Sequence, residues 1–188
     1  MKGHLIALLC CLVVGPLGAQ NRDTQGPPTM KALVVYYSLT GKTDVVARAL
    51  SEELNADVRR VEDVKRPSVN WWFMITGSIS AIRGLESPIR PIDTNLQQYE
   101  RVFVGSPVWG GSPSPAINAF IAKADFTGKE VIAFMTMGGH DASAALRKMR
   151  ERIEKKGGKV IGSFALSSTG ATNEQLAEKT RETAQRFR

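Results

Sequence analysis

The sequence predicts a three-layer α/β fold in which a doubly wound, five-stranded parallel sheet lies between helices. From residue 31 onward, short apolar runs alternate with segments of helical periodicity, a pattern typical of parallel sheets with crossover helices. Most of the runs are almost continuously apolar, which indicates strands covered on both faces. Because such crossovers are right-handed, few topologies remain.

Five segments have the composition of strands. The first, "KALVVYY", is a continuous apolar run, whereas the second places Val58 and Val61 among charged residues and therefore suits a short edge strand. The predicted strands are residues 31–37, 57–62, 101–105, 130–136 and 159–166.

Helices are indicated after the strands by apolar side chains that recur every three or four residues. The last helix is expected to begin near Thr172, because Thr172 and Gln175 have the spacing of a capping box, and to bury Leu176 and Phe187. The apolar stripes of the others are Val45, Val46, Ala49, Leu50 and Leu54; Ile117, Phe120, Ile121 and Ala124; and Ala145, Leu146, Met149 and Ile153.

Residues 67–91 fit this alternation less easily, since they are apolar and contain the adjacent pair Trp71 and Trp72. We favour a helix packed on the sheet, because large apolar side chains are mostly buried. A contact with a ligand or a membrane is the alternative, since exposed apolar patches mark such contacts.

The first residues differ from the rest of the chain. Lys2 precedes an apolar run from Leu5 to Val14, and small residues follow up to Ala19, which is the pattern of a signal peptide cleaved after Ala19. The run is short for a membrane span. A buried strand or an uncleaved anchor is the alternative, and the anchor would tether the protein to the membrane.

We therefore expect a signal peptide over 1–19, a flexible polar leader over 20–30 and one domain over 31–188. Cleavage would leave a periplasmic or extracellular protein without stable membrane insertion. Both cysteines, Cys10 and Cys11, lie in the apolar run, so the mature chain would have no thiol for a disulfide, a metal or a nucleophile.

The composition of the 188 residues, 43% of them hydrophobic, is that of one globular domain. The formal charge is +7, but no basic run is interleaved with aromatic residues, so no nucleic-acid partner is expected.

Three loops follow the strands at the edge where parallel sheets bind ligands: 38–43, 106–112 and 137–143. All three are rich in Gly, Ser or Thr. The first contains Gly41-Lys42-Thr43, the end of a P-loop, but the first glycine of that motif would fall on Tyr36, so a nucleoside triphosphate is not expected.

The same turn suits a single phosphate monoester. Its hydroxyls, backbone N–H groups and helix N-terminus can hold the dianion without a metal. An ordinary N-capping turn is the alternative interpretation. In the second loop, Trp109 can stack on a flat ring, and Gly110 and Gly111 allow the backbone to approach it. A mononucleotide with a large planar ring, such as a flavin, fits both loops.

With these motifs the chain resembles the flavodoxin family from residue 31 to about 187. "VVYYSLTGKT" resembles the family's phosphate loop, "GSPVWGG" the loop over the flavin ring, and "FMTMGG" the next loop. The resemblance implies FMN as the cofactor and the strand order 2-1-3-4-5.

The resemblance also implies the site residues. The phosphate turn would be Ser38 to Thr43, Trp109 would flank the ring, and the Gly110 carbonyl would turn toward flavin N5 when the flavin gains a hydrogen. The residues implied in cofactor binding are Ser38, Leu39, Thr40, Gly41, Lys42, Thr43, Pro107, Val108, Trp109, Gly110, Thr136, Gly138, Gly139 and His140.

The chain departs from the family in two residues and in its charge. Lys42 stands where the family often has Asn, and it would either reach the phosphate or point to solvent. His140 would either take the place of a second flanking aromatic or be solvated. Because many flavodoxins are acidic and this chain is basic, we expect redox partners with acidic surfaces.

The predicted function is the transfer of single electrons between redox partners, with no catalytic residue and no metal site. The alternative is an FMN-dependent NAD(P)H:quinone or flavin oxidoreductase on the same fold. A flavodoxin fold that has lost FMN and serves as a binding module is a third possibility, against which the intact loops argue.

Overall fold

The computed structural model describes residues 31–65 and 71–188. The predicted signal peptide over 1–19 and leader over 20–30 lie outside these residues. Within the described residues, no helix has the length and apolar character that crossing a bilayer requires.

Strands and helices alternate along the chain as the sequence predicts. The strands are β1 (Ala32–Tyr36), β2 (Asp57–Arg60), β3 (Arg101–Trp109), β4 (Ser112–Pro113), β5 (Glu130–Met137) and β6 (Lys159–Ser167). The helices are α1 (Lys42–Leu54), α2 (Trp71–Ile82), α3 (Pro115–Lys123), α4 (Ser143–Glu154) and α5 (Asn173–Ala184).

The main sheet has the order β2-β1-β3-β5-β6, with every neighbouring pair parallel. The two-residue β4 pairs antiparallel with the end of β3 and lies off this path. When β4 is set aside, the observed order is the predicted 2-1-3-4-5, so the predicted fold class is confirmed.

Two apolar cores cover the faces of the sheet. On one face, Val46 and Leu50 of α1 and Leu176 of α5 are buried against Phe103. On the other face, residues of α3 and α4, including Ile117 and Met149, are buried with alternate residues of the same strands. Side chains of successive strand residues point to opposite faces, so nearly continuous apolar runs are needed to fill both cores.

The predicted helix within 67–91 is present as α2. Its carboxyl end is closed by Gly84, whose N–H donates to Ala81 O, and by Leu85, whose N–H donates to Ser80 O. This is a Schellman motif with its glycine at φ 68°. α2 contacts β3, β4 and α3, so it lies beside the carboxyl edge of the sheet, next to the β3–β4 hairpin.

Two predicted boundaries differ from the structure by more than two residues. β3 does not stop at 105 but continues to Trp109, because β5 runs alongside it and pairs as far as Pro107 with Thr136. α5 is capped by Thr172 with both hydrogen bonds of the capping box, as predicted, and buries Leu176, but it ends at Ala184. Phe187 therefore lies in a following 3-10 turn, partly buried against the core.

Candidate functional site

The three predicted loops meet at the carboxyl edge of the sheet. β1, β3 and β5 are consecutive neighbours in the order, so the segments that leave them start side by side. These segments are the turn 37–41, the hairpin around 110–111 and the loop 138–142. Ligands of open α/β sheets bind at this edge, where the chain direction of the crossovers reverses.

The turn after β1 leaves the N-terminus of α1 open. Ser38 is buried, and its Oγ accepts a hydrogen bond from the Gly41 N–H at 3.1 Å. Gly41 is the N-cap at φ 91°, and within the described residues no side chain caps the first turn. The first N–H groups of a helix have no acceptor inside the helix. Such N–H groups suit an anion.

Thr43 connects this turn to β5. Its Oγ1 lies 2.7 Å from Thr136 Oγ1, and both side chains are buried. When Thr136 is the donor, the Thr43 proton is free to be donated to a ligand at the helix N-terminus. The resemblance implied Thr136 in cofactor binding, but the sequence did not predict its hydroxyl contact with Thr43.

Lys42 makes two side-chain contacts that the sequence did not predict. Its Nζ donates to the Ala171 carbonyl at 3.1 Å and to Asn173 Oδ1 at 3.0 Å, so the side chain ties α1 to the loop that follows β6. The backbone N–H of Lys42, at the first position of α1, is the group of this residue that suits a phosphate.

Arg60 is a residue near the turn that the sequence did not single out. It ends β2, the neighbour of β1, and donates to the Ser38 carbonyl at 2.7 Å. Its guanidinium also lies 3.9 Å from the Asp44 carboxylate. The sequence could have indicated Arg60, because this residue is a cation at the end of the neighbouring strand. Strand ends on one edge of a sheet are close in space.

Asp44 is an acidic residue in the first turn of α1, and its charge is largely compensated. It accepts hydrogen bonds from Tyr36 Oη and from Arg48 Nε. Burial alone would raise the pKa of Asp44, but these hydrogen bonds and the nearby guanidinium groups outweigh it and lower the pKa. Burial, followed by the hydrogen bond to Asp44, raises the pKa of Tyr36 to about 12.

Because of the Tyr36–Asp44 hydrogen bond, we expect the free energy of unfolding to depend on pH in the alkaline range. The folded protein keeps the Tyr36 proton up to a pKa of about 12, whereas the ordinary pKa of a tyrosine is 10.0. Between these values the unfolded chain binds fewer protons, so stability falls as pH rises. Tyr36→Phe should cost about 1.5 kcal/mol at neutral pH, because a hydrogen bond to a carboxylate is lost.

Urea unfolding at a series of pH values tests this. The difference between wild type and Tyr36→Phe should shrink as pH rises from 10 toward 12. Tyr99, whose phenol donates to Asp57, provides the matched variant Tyr99→Phe away from the site. A constant difference for Tyr36→Phe across this range would contradict the proposed protonation.

The second predicted loop is a tight hairpin. Trp109 does not follow β3, as the sequence predicted, but is its last residue, and Pro107 and Val108 also belong to the strand. The turn consists of Gly110 at φ 54° and Gly111 at φ 69°. Two left-handed residues between antiparallel strands make a turn for which glycine is favoured.

Polar contacts fix the orientation of this hairpin. Ser106 Oγ accepts from the Ser114 N–H at 2.9 Å, and Lys148 of α4 donates to Ser112 Oγ at 2.6 Å. Trp109 is partly buried, and its ring meets Tyr37 edge to face with centroids 5.9 Å apart. The indole is therefore held beside the first turn.

The third loop is exposed and held by the chain that follows β6. Gly138, Gly139 and His140 are exposed. Thr169 Oγ1 donates to the Gly138 carbonyl at 2.7 Å. Thr169 was not identified from the sequence, because nothing in its neighbourhood marks it as the partner of a residue 31 positions away. No group of three His, Cys, Asp or Glu side chains within the described ranges is arranged to hold a metal ion.

The fold and this edge define a doubly wound α/β domain with an open ligand-binding cleft. Residues 31–178 match the family described as Flavodoxin, and the chain belongs to that family. The resemblance predicted from the three loop motifs is therefore confirmed.

The chain is also similar to solved structures and to another protein. The flavoprotein from Lactobacillus acidophilus NCFM, solved in complex with FMN, is 23% identical with a TM-score of 0.65, and the match covers 72% of this chain and 93% of that chain. A protein from Bacteroides uniformis ATCC 8492 is 24% identical with a TM-score of 0.68, covering 80% and 97%. An uncharacterised protein of Methanocaldococcus jannaschii is 25% identical over 137 residues, 72% of this chain and 73% of the relative.

Proposed function

We propose that this protein binds FMN at the carboxyl edge of its sheet and passes single electrons between redox partners. Membership of the flavodoxin family and the FMN complex of the similar Lactobacillus acidophilus flavoprotein support the cofactor. The observation that carries the proposal is the placement of an uncapped helix N-terminus, a partly exposed indole and an exposed loop at the ends of three adjacent strands.

The turn after β1 fits the phosphate of FMN. A Cβ at Gly41 would meet no atom within 4 Å, so the space outside the turn is open. Ser38, Thr40 and Thr43 provide hydroxyls, and the first turn of α1 provides N–H groups. Asp44 does not oppose the dianion strongly, because its carboxylate is turned to Tyr36 and Arg48.

The isoalloxazine would lie between the hairpin and the loop 138–140. Trp109 offers an aromatic surface whose position is fixed by Tyr37. A Cβ at Gly111 or at Gly139 would meet no atom within 4 Å, so the space beside each of these residues is open. Backbone groups of 138–140 would contact the pyrimidine edge.

Bound FMN supplies a ring that accepts and releases electrons singly or in pairs. The chain orients that ring and controls where a proton is held. The Gly110 carbonyl oxygen would accept a hydrogen bond from flavin N5 once N5 carries a hydrogen. Because glycine adopts either hand of backbone at little cost, the peptide after Gly110 can turn for this contact.

One feature favours the alternative of an FMN-dependent NAD(P)H:quinone or flavin oxidoreductase. A cavity of about 230 Å³ adjoins Trp109, and α2 and the segment 85–88 form its wall. Asp63 lies in this wall and accepts hydrogen bonds from Tyr37 and Ser87. A small substrate could enter here beside the indole, and the experiment therefore includes this function as an outcome.

Reconstitution followed by anaerobic reduction tests the proposal. The purified chain is expected to take up FMN, and stepwise reduction followed by absorption should proceed in two separable one-electron stages. NADH with a quinone should be consumed slowly. Rapid NADH consumption with reduction in a single two-electron stage would instead establish the oxidoreductase. Failure to bind FMN would leave the binding-module interpretation.

A further inference from the structure

An apolar face projects from the carboxyl half of α2. Ile79, Ile82 and Leu85 are 44%, 54% and 50% exposed, although large aliphatic side chains are usually buried. Their spacing of three residues places them in one row, and the Schellman motif at Gly84 turns Leu85 back beside the helix end. These three side chains are called the α2 face below.

Positive charge flanks the uncharged stretch of the chain that contains α2. Residues 67–82 contain no charged side chain. Lys65 and Arg66 precede this stretch, and Arg83 follows it directly. An apolar helix that contains tryptophan and is flanked by cations is typical of segments that lie in the interface of a bilayer.

A basic depression of about 330 Å³ lies beside Ile82. Its charged lining consists of four cations and one carboxylate: Arg83, Lys148, Arg152, Lys155 and Glu151. Arg152 donates to the Gly84 carbonyl at 3.0 Å, which fixes α4 against the end of α2. The excess of positive charge makes this depression a place for an anionic group.

We propose that the α2 face binds the surface of an anionic lipid bilayer, with a phosphate head group in the basic depression. The aliphatic row would enter the boundary of the acyl chains, and the cations would remain at head-group level. A protein partner fits less well, because interface centres are enriched in aromatic side chains, Met and Arg rather than in a bare aliphatic row.

This contact would place the carboxyl edge of the sheet, with the proposed FMN site, at the membrane. This step rests on the proposed function. A Cβ at Gly110 would lie 2.8 Å from Ile82 Cδ1, so the hairpin turn and the α2 face are adjacent. An electron donor or acceptor would then be a lipid-soluble or membrane-embedded molecule. Lipid binding itself does not require FMN.

Vesicle co-sedimentation tests the proposal, with phosphatidylcholine vesicles that contain either no phosphatidylglycerol or about one third of it. The full chain is compared with a chain beginning at Gln20, because the apolar run from Leu5 to Val14 can itself bind lipid. The chain from Gln20 retains every described strand and helix. It should sediment with the anionic vesicles, with or without FMN.

Ile79→Gln and Leu85→Gln are each expected to weaken this binding about fivefold. Ile161→Gln is the matched control, since Ile161 is 41% exposed on β6. Arg83→Glu and Lys155→Glu should weaken binding to anionic vesicles only, whereas Lys179→Glu on α5 should not. Circular dichroism checks that each variant is folded.

Two results would overturn the proposal: no sedimentation of the Gln20 chain with anionic vesicles, or equal binding by the α2-face variants and Ile161→Gln. If those variants instead change the elution volume in size-exclusion chromatography, the face is a contact between proteins. A chain that binds vesicles but not FMN would retain the lipid contact and refute the cofactor.

Discussion

Replacing Thr43 with valine is expected to weaken FMN about 10- to 100-fold, because a hydrogen bond to a charged phosphate contributes about 1.5–3 kcal/mol. Riboflavin, which lacks the phosphate, should lose less than about threefold on the same scale. Thr43 is buried beside Thr136, so its hydroxyl is already oriented and donates with little loss of side-chain entropy. Titration of flavin fluorescence gives both dissociation constants.

Variants of neighbouring residues test whether the loss of FMN affinity is specific to the phosphate contact of Thr43. Thr40→Ala should also weaken FMN more than riboflavin, but by less than Thr43→Val, because Thr40 is exposed and its rotamer is free. Thr136→Val removes the partner hydroxyl and should produce an intermediate loss. Trp109→Ala should weaken both flavins equally, since stacking involves the ring and not the phosphate.

Equal losses of FMN and riboflavin in Thr43→Val would place the phosphate elsewhere. Thr183→Val on α5 is the control for a threonine change as such, because its hydroxyl bonds only its own helix at the Lys179 carbonyl. Its affinity for both flavins should match that of wild type.

The fold could be predicted from the sequence because the apolar pattern of each segment agrees with the place of that segment in the sheet. Nearly continuous apolar runs identify β1, β3 and β5, and the right-handed crossover rule limits the number of possible topologies. The order 2-1-3-4-5 was implied by the family resemblance, and the sheet has that order. β3 was predicted too short because the apolar run ends at Gly105 and Pro107, which is unfavourable within strands, follows it. Its pairing with β5, which no local pattern reports, overrides that preference.

The partners inside the site could not be predicted, because they join residues far apart in the chain. Thr43 and Thr136 are 93 positions apart, and Lys42 and Asn173 are 131 apart. The sequence located the loops through their composition. Which hydroxyl or carbonyl each side chain reaches depends on how the strands are staggered, and only the assembled sheet determines that.

Gly105→Ala is expected to produce a large loss of stability. Gly105 pairs with Tyr36 on one side and with Phe134 on the other, so a glycine separates two large aromatic residues in the centre of the sheet. A Cβ here would lie 2.1 Å from Phe134 Cζ. Phe134 cannot move aside freely, because it is buried and stacked on Phe164 with centroids 5.7 Å apart. Overpacking of this kind costs about 3 kcal/mol.

Urea unfolding measures this loss, and Gly139→Ala is the control, since its Cβ would meet no atom within 4 Å and it should change stability by less than about 0.5 kcal/mol. Combining Gly105→Ala with Phe134→Leu identifies the cause, because the smaller side chain removes the ring that the new methyl group meets. The double variant should be more stable than the sum of the two single losses predicts. Additive losses would mean that the glycine is required for its backbone and not for the space it leaves to Phe134.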